Sequence, residues 1–139
     1  MIFAILPIFL LISLTSSTEF FIQGSMRCNL NSNFEATVEL WEEDSLESGW
    51  DLMKSKNLGV RASNVSHNFN IRGTQDEGDG IFDDEYEPLL RIYHNCMSRP
   101  GTGNILRRFK SVPITTPAVN FTGLTFKLDD RMDVDYASI

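Results

Sequence analysis

The sequence predicts an all-β domain, built as a single antiparallel β-sandwich. Three observations carry this expectation. Apolar residues recur at every second position in several short runs, which is the period of a strand with one buried face. Clusters of Gly, Asn, Asp and Pro separate the runs, and these residues supply positive φ or remove a ladder donor. About seven such runs follow one another at short spacing, a series that favours two antiparallel sheets packed face to face.

Composition narrows the function. The chain has 139 residues and a formal net charge of −7, from 12 Lys+Arg against 19 Asp+Glu. Its pI is near 4.7. One domain accounts for this length, since domains run to roughly 100–200 residues. At 42 % hydrophobic residues the chain is too apolar to be disordered. The acidic balance excludes a general nucleic-acid binder, because phosphate affinity comes from clustered Lys and Arg. Two cysteines are too few for a disulfide-dense mini-scaffold. With two histidines they make at most one tetrahedral zinc site, and their spacing fits no finger pattern. No cofactor and no metal are expected, and no motif sets the oligomeric state.

The elements follow in chain order. Residues 1–14 carry no charge and almost no polarity. A membrane span needs about 20 residues. The shorter run fits the apolar part of a secretory signal peptide, with Thr15, Ser16, Ser17 and Thr18 as the small residues behind it. Cleavage after Ser17 is expected, with Thr18 the near alternative, although no Lys or Arg precedes the run. This gives a leader at 1–17 and a β-sandwich domain at 18–139, secreted and without stable membrane insertion. An uncleaved signal-anchor is the alternative, and the short run argues against it.

Residues 20–28 are the first strand candidate. In 34–40, Phe34, Ala36, Val38 and Leu40 share one face, and Glu35, Thr37 and Glu39 the other. Residues 45–56 lean helical over a span too short to organise the domain. Leu58, Val60 and Ala62 alternate with Gly59, Arg61 and Ser63. Val65, His67, Phe69 and Ile71 share a face opposite Ser66, Asn68 and Asn70. Residues 89–96 and 105–112 are further candidates, with Leu90, Ile92, His94 and Cys96 on one parity. Leu124, Phe126 and Leu128 close the series. There is no internal repeat and no Gly/Ser or Pro linker, so no second domain is expected.

Secretion changes how two further features read. In an oxidising compartment Cys28 and Cys96 are expected to form one disulfide, closing a loop of nearly 70 residues. Two buried thiols are the alternative. Asn64-Val65-Ser66 and Asn120-Phe121-Thr122 both satisfy the N-x-S/T sequon, so Asn64 and Asn120 are candidate N-glycosylation sites.

Four motifs then coincide in order. Gly24-Ser25-Met26-Arg27-Cys28 fits the opening G-x-(L/I/V/M)-x-C of the nematode transthyretin-like family. Val38-Glu39-Leu40-Trp41-Glu42-Glu43-Asp44 is similar to its V-x-L-W-E-x-D strand. His67-Asn68-Phe69-Asn70-Ile71-Arg72-Gly73 resembles its F-x-(L/I/V)-x-G strand, and Leu90-Arg91-Ile92-Tyr93-His94-Asn95-Cys96 its (L/I)-x-I-Y-H-x-C strand. The agreement runs from about Gly24 to Leu128. The resemblance implies a prealbumin-like (Ig-like) sandwich of seven or eight strands, secreted, with Cys28 and Cys96 at the paired positions. It implies no assigned biochemical activity. This chain has no cysteine after Cys96, and an acidic stretch at 75–87 precedes the Y-H-x-C strand.

Four features of the sequence bear on chemistry. The wider superfamily includes a hydroxyisourate hydrolase, whose site uses His, Arg and a C-terminal Y-R-G-S. Here Tyr136 and Ser138 remain, without the Arg and Gly. His67 and His94 sit in other motifs, and no constellation of base and charge stabiliser is visible, so no catalytic residue is assigned. The acidic segment carries oxygens suited to calcium, but its spacing is not that of an EF-hand loop. A solvated acidic loop is the simpler reading. Trp41 and Trp50 are the third feature; Trp41 lies on the polar parity of its strand, beside Glu39, which marks either a contact surface or a ring packed under a following loop. Arg107, Arg108 and Lys110 form a basic cluster, suited to an acidic partner or to a charged outer strand face. The sequence therefore points to a non-enzymatic extracellular protein that recognises a protein or cell-surface partner through loops and outer strand faces. The wider transthyretin resemblance implies the alternatives: a carrier of a small apolar ligand at an oligomer interface or, more remotely, a hydroxyisourate-hydrolase-like enzyme.

Overall fold

Alternation sets the first strand. Along β1 (Thr18–Arg27), Phe20, Ile22 and Met26 are buried, while Gln23 and Arg27 face out. The computed structural model describes residues 17–43, 49–76, 84–131 and 134–136. β1 is the middle of a three-stranded sheet. It pairs antiparallel with β4 (His67–Gln75) and parallel with β9 (Ala118–Lys127). A five-stranded sheet faces it, in the order β10 (Val134–Tyr136), β7 (Gly103–Arg108), β6 (Pro88–His94), β2 (Asn33–Glu43), β3 (Trp50–Ala62). β5 (Glu85–Tyr86) and β8 (Val112–Pro113) make a short separate ribbon. Seven of these ten strands have six residues or more, the number the alternation predicts. No helix occurs among the described residues, so the all-β sandwich is found.

Pairing is antiparallel except between β1 and β9 and between β10 and β7. Parallel neighbours need a long crossover rather than a hairpin, and both pairs join strands distant in sequence. The inner faces meet in one core. Phe34, Ala36, Val38 and Leu40 of β2 join Phe20 and Ile22 of β1, with Ile71, Leu90, Ile92 and Ile105 around them. Apart from Ala36, each such side chain contributes about 1.5–3 kcal/mol on leaving water.

The helical leaning of 45–56 is not realised. Residues 44–48 lie outside the described residues, and from Trp50 the chain is a 13-residue strand laid along β2. A helix that short is marginal by itself, whereas pairing with β2 satisfies the same backbone groups against a packed neighbour. Two bulges interrupt the β2–β3 ladder, at Glu35/Thr37 and at Leu40/Trp41. At the first, Gly59 adopts φ +66°, which glycine takes without a steric penalty. The extra residue reverses the face beyond it. Leu58 packs on the core, but Val60 is 62 % exposed, so the expected shared face of Leu58, Val60 and Ala62 breaks at Gly59. Val65, expected on the buried face of β4, lies instead in the turn before that strand and is exposed. β3 ends the five-stranded sheet, and Lys56 Nζ donates to the Asn70 carbonyl of β4 at 2.8 Å, tying the two sheet edges together.

The sulfurs of Cys28 and Cys96 are joined in a disulfide, with Cα atoms 5.8 Å apart and both residues fully buried. Cys28 follows β1 and Cys96 follows β6, so the bond staples one sheet to the other. Beside it, Asn29 clasps Asp129 through its backbone N–H at 2.7 Å and its side-chain Nδ2 at 2.9 Å. Gly103 opens β7 so close to the Arg131 carbonyl and the His94 ring that a Cβ would overlap both. At the other end, Thr18 is fully buried. Its Oγ1 donates to the Thr116 carbonyl at 2.6 Å, and Glu19 N–H donates to the Pro117 carbonyl at 3.0 Å.

Candidate recognition face

The outer face of the five-stranded sheet gathers three aromatic residues, Trp41, Trp50 and Tyr93. Trp41 falls between two core positions of β2, Leu40 and Glu42, and so lies on the opposite face, half-buried. Register places Leu52 of β3 on one side of it and Leu89 of β6 on the other. The Trp41 ring meets Trp50 edge to face, with centroids 6.3 Å apart. Its Nε1 donates to Glu39 Oε2 at 2.8 Å. On β6, the Arg91 guanidinium lies 4.5 Å from the Tyr93 ring and 5.9 Å from Trp50. Arg91 Nε donates to Asn104 Oδ1 at 3.1 Å. Among the described residues, Trp41 is therefore a held ring rather than a free aromatic. It belongs to a braced cluster of Trp41, Trp50, Arg91 and Tyr93, in which the cation–π contacts hold the rings in fixed orientations. Burial raises the Tyr93 pKa; Arg91 opposes that shift and Glu39 adds to it.

The basic cluster of the sequence does not survive as one patch. Arg107 and Arg108 are adjacent in a strand, so they lie on opposite faces. Arg107 has the parity of buried Ile105, while Arg108 has that of the outer face. Arg108 donates from Nε and Nη2 to the two Glu43 oxygens, at 2.7 and 3.1 Å. Lys110 lies past the strand and is exposed. It helps line a shallow cleft of about 280 Å³ with Glu43, Glu87 and Arg108. Because β7 is flanked by β6 and β10, its arginines do not guard a free edge.

The remaining candidates lie elsewhere. Asn64 sits in the turn between β3 and β4 with φ 63°, and Asn120 is exposed on β9. Tyr136 lies in β10 opposite Arg107. Most of the acidic stretch, 77–83, lies outside the described residues, as does the expected leader up to residue 16. His67 Nε2 lies 2.7 Å from the Ala62 carbonyl. His94 is buried, and its Nδ1 accepts the Cys96 N–H at 3.2 Å.

Burial lowers the His94 pKa, and the backbone of Arg131 partly opposes this. The unfolded imidazole takes a proton near pH 6.5, whereas the folded one takes it only at lower pH. The neutral ring's contribution is thus complete above about pH 6.5 and is lost as pH falls through the window below it. A proton on Nδ1 would also displace the Cys96 N–H. The expected result is a lower urea midpoint at about pH 5.5 than at about pH 7.5, with a flatter dependence in His94→Gln. An unchanged dependence in that variant would place the titrating group elsewhere.

Comparison with known proteins agrees with the fold. Residues 23–110 match the family model described as TTR-52: Transthyretin-like family. The chain belongs to the transthyretin-like family. No curated protein matches it. The matched span contains the whole aromatic cluster and both cysteines. Two parts of the arrangement were not visible in the sequence: Arg91 as the brace between the rings, and Gly103 as the seat of His94.

Proposed function

We propose that this protein is a secreted, non-enzymatic binding protein that recognises an extracellular protein or cell-surface partner with the outer face of its five-stranded sheet. The cluster of Trp41, Trp50, Arg91 and Tyr93 carries this reading. Tryptophan, tyrosine and arginine are enriched where interfaces concentrate their binding energy, and rings already held in place lose little entropy on docking. Arg108, Glu43 and Lys110 supply a charged rim at one end of the same sheet. The two histidines support a non-catalytic role. The Nδ1 of His94 is committed to Cys96 inside the core, and His67 is held at the Ala62 carbonyl.

Labelled mature protein, applied to intact cells and matrix of the source tissue, tests this. Trp41→Ala and Arg91→Ala are expected to weaken saturable binding at least about 10-fold, the effect of losing an interface anchor. Gln23→Ala, on the outer face of the other sheet, should bind as the parent does. Equal binding by all folded variants would exclude this face. Native mass spectrometry tests the carrier alternative, which needs a symmetric oligomer holding a small-molecule adduct.

A further inference from the structure

We propose that Asn120 is an N-glycosylated position whose first sugar packs on Phe21, so that glycan covers the outer face of the three-stranded sheet. Three observations meet there. Asn120 and Thr122 of the sequon are both exposed, while Phe121 between them turns inward and stacks on Phe109, with centroids 4.2 Å apart. That stacking fixes the rotation of β9 and holds Asn120 outward. Register then makes Phe21 of β1 the neighbour of Asn120. Phe21 lies between core residues Phe20 and Ile22, so its ring is on the outer face, and it is half-buried. On its other flank Arg72 of β4 stands 5.3 Å from the ring centroid, held in turn by Glu19 at 3.1 Å. The ring is thereby propped upright beside the acceptor amide. The C–H face of an N-acetylhexosamine is apolar and matches such a ring. Farther along β1, a shallow depression of about 230 Å³, lined by Gln23, Ser25, Asn68 and Thr125, offers amides and hydroxyls for a second sugar. Asn64 is exposed as well, in the turn between β3 and β4.

The donor is an oligosaccharide carried on a lipid pyrophosphate. The Asn120 amide nitrogen forms a bond to the anomeric carbon, and the carbon–oxygen bond to the pyrophosphate breaks. The leaving pyrophosphate keeps that electron pair, the amide gives up one proton, and nothing is oxidised or reduced. The inference rests on the secretory route of the proposed function and not on its choice of partner face.

The full chain is expressed in a secretory eukaryotic cell behind its own leader and, in parallel, behind a leader of proven export. Glycopeptide mass spectrometry reads Asn120 in the exported protein. The expected result is a glycan at Asn120 from either leader. Export from the foreign leader only, with Asn120 occupied, overturns the secretory route and leaves the acceptor site supported. A bare Asn120 in exported protein overturns the site with either leader. Packing on Phe21 is read by a four-way comparison. Thr122→Ala removes the glycan at an exposed position, and its expected effect is a Tm lower by about 3 °C. In a Phe21→Leu background, which keeps apolar bulk without a ring, the same change should shift Tm by less than about 1 °C. Equal shifts in both backgrounds would overturn the packing.

Discussion

Gly103→Ala is expected to destabilise the domain by at least about 3 kcal/mol, the upper range for overpacking, and to lower Tm by about 10 °C or more. The added methyl meets the Arg131 carbonyl and the His94 ring. The carbonyl is backbone and cannot rotate aside. The ring is buried and held at Nδ1 by Cys96, so moving it strains the disulfide neighbourhood as well. Gly73→Ala is the control. Its methyl meets Met53 Cβ at 2.9 Å and Leu40 Cδ2 at 3.1 Å; the Leu40 methyl can turn, but Met53 Cβ moves only with β3, the last strand of its sheet, so a smaller loss of about 2 kcal/mol is expected. Urea titrations of both variants measure the difference. Near-equal midpoints would mean that the Arg131 segment yields and that the seat of His94 is soft.

Removing the disulfide is expected to cost about 4 kcal/mol. The bond joins positions 68 residues apart, and chain entropy assigns roughly that value to a loop of such length. A domain of this size has a total stability of about 5–15 kcal/mol, so the loss is a large fraction of it. Cys28→Ala with Cys96→Ala is the suitable pair, since serine would leave hydroxyls in a dry site. Its urea midpoint should fall sharply and its slope should steepen, because the chain without the cross-link unfolds to a more open state. Both cysteines are fully buried, so reductant should reach the bond in the parent only through unfolding. Reduction in native buffer should track the unfolding rate, and fast reduction of folded protein would contradict the buried placement.

Much of the sandwich was legible because one physical pattern encodes it. Phe34, Ala36, Val38 and Leu40 announce an inner face by parity alone, and the same parity sets Trp41 outside. Parity carries no direction, however. Leu124 and Phe126 alternate identically whether β9 runs with β1 or against it, so the parallel pairing could not be read. Bulges also defeat it, because one extra residue at Gly59 sends Val60 outward against its own pattern. Residues 50–56 mix charges with single apolar residues, as an outer edge strand and a short helix both do. The braced aromatic cluster depends on register across three strands, and no local window contains it. Gly103 reads locally as turn punctuation, and its role comes only from Arg131, which lies beyond β9 in the sequence.

The first strand has a consequence for timing. Cleavage after Ser17, as proposed, would cut the bond beside Thr18, and Thr18 and Glu19 are already fastened to the backbone at Thr116 and Pro117. A protease reads its substrate as an extended strand lying in its own cleft, and it needs residues on both sides of the cut. Once β1 has taken its place between β4 and β9, the residues after the cut belong to another sheet. Processing and folding would therefore compete for one stretch of chain. The partners of Thr18 and Glu19 are about a hundred residues downstream, and that separation gives the cut time to come first. A chain that folded with its leader attached would hide the bond that releases it.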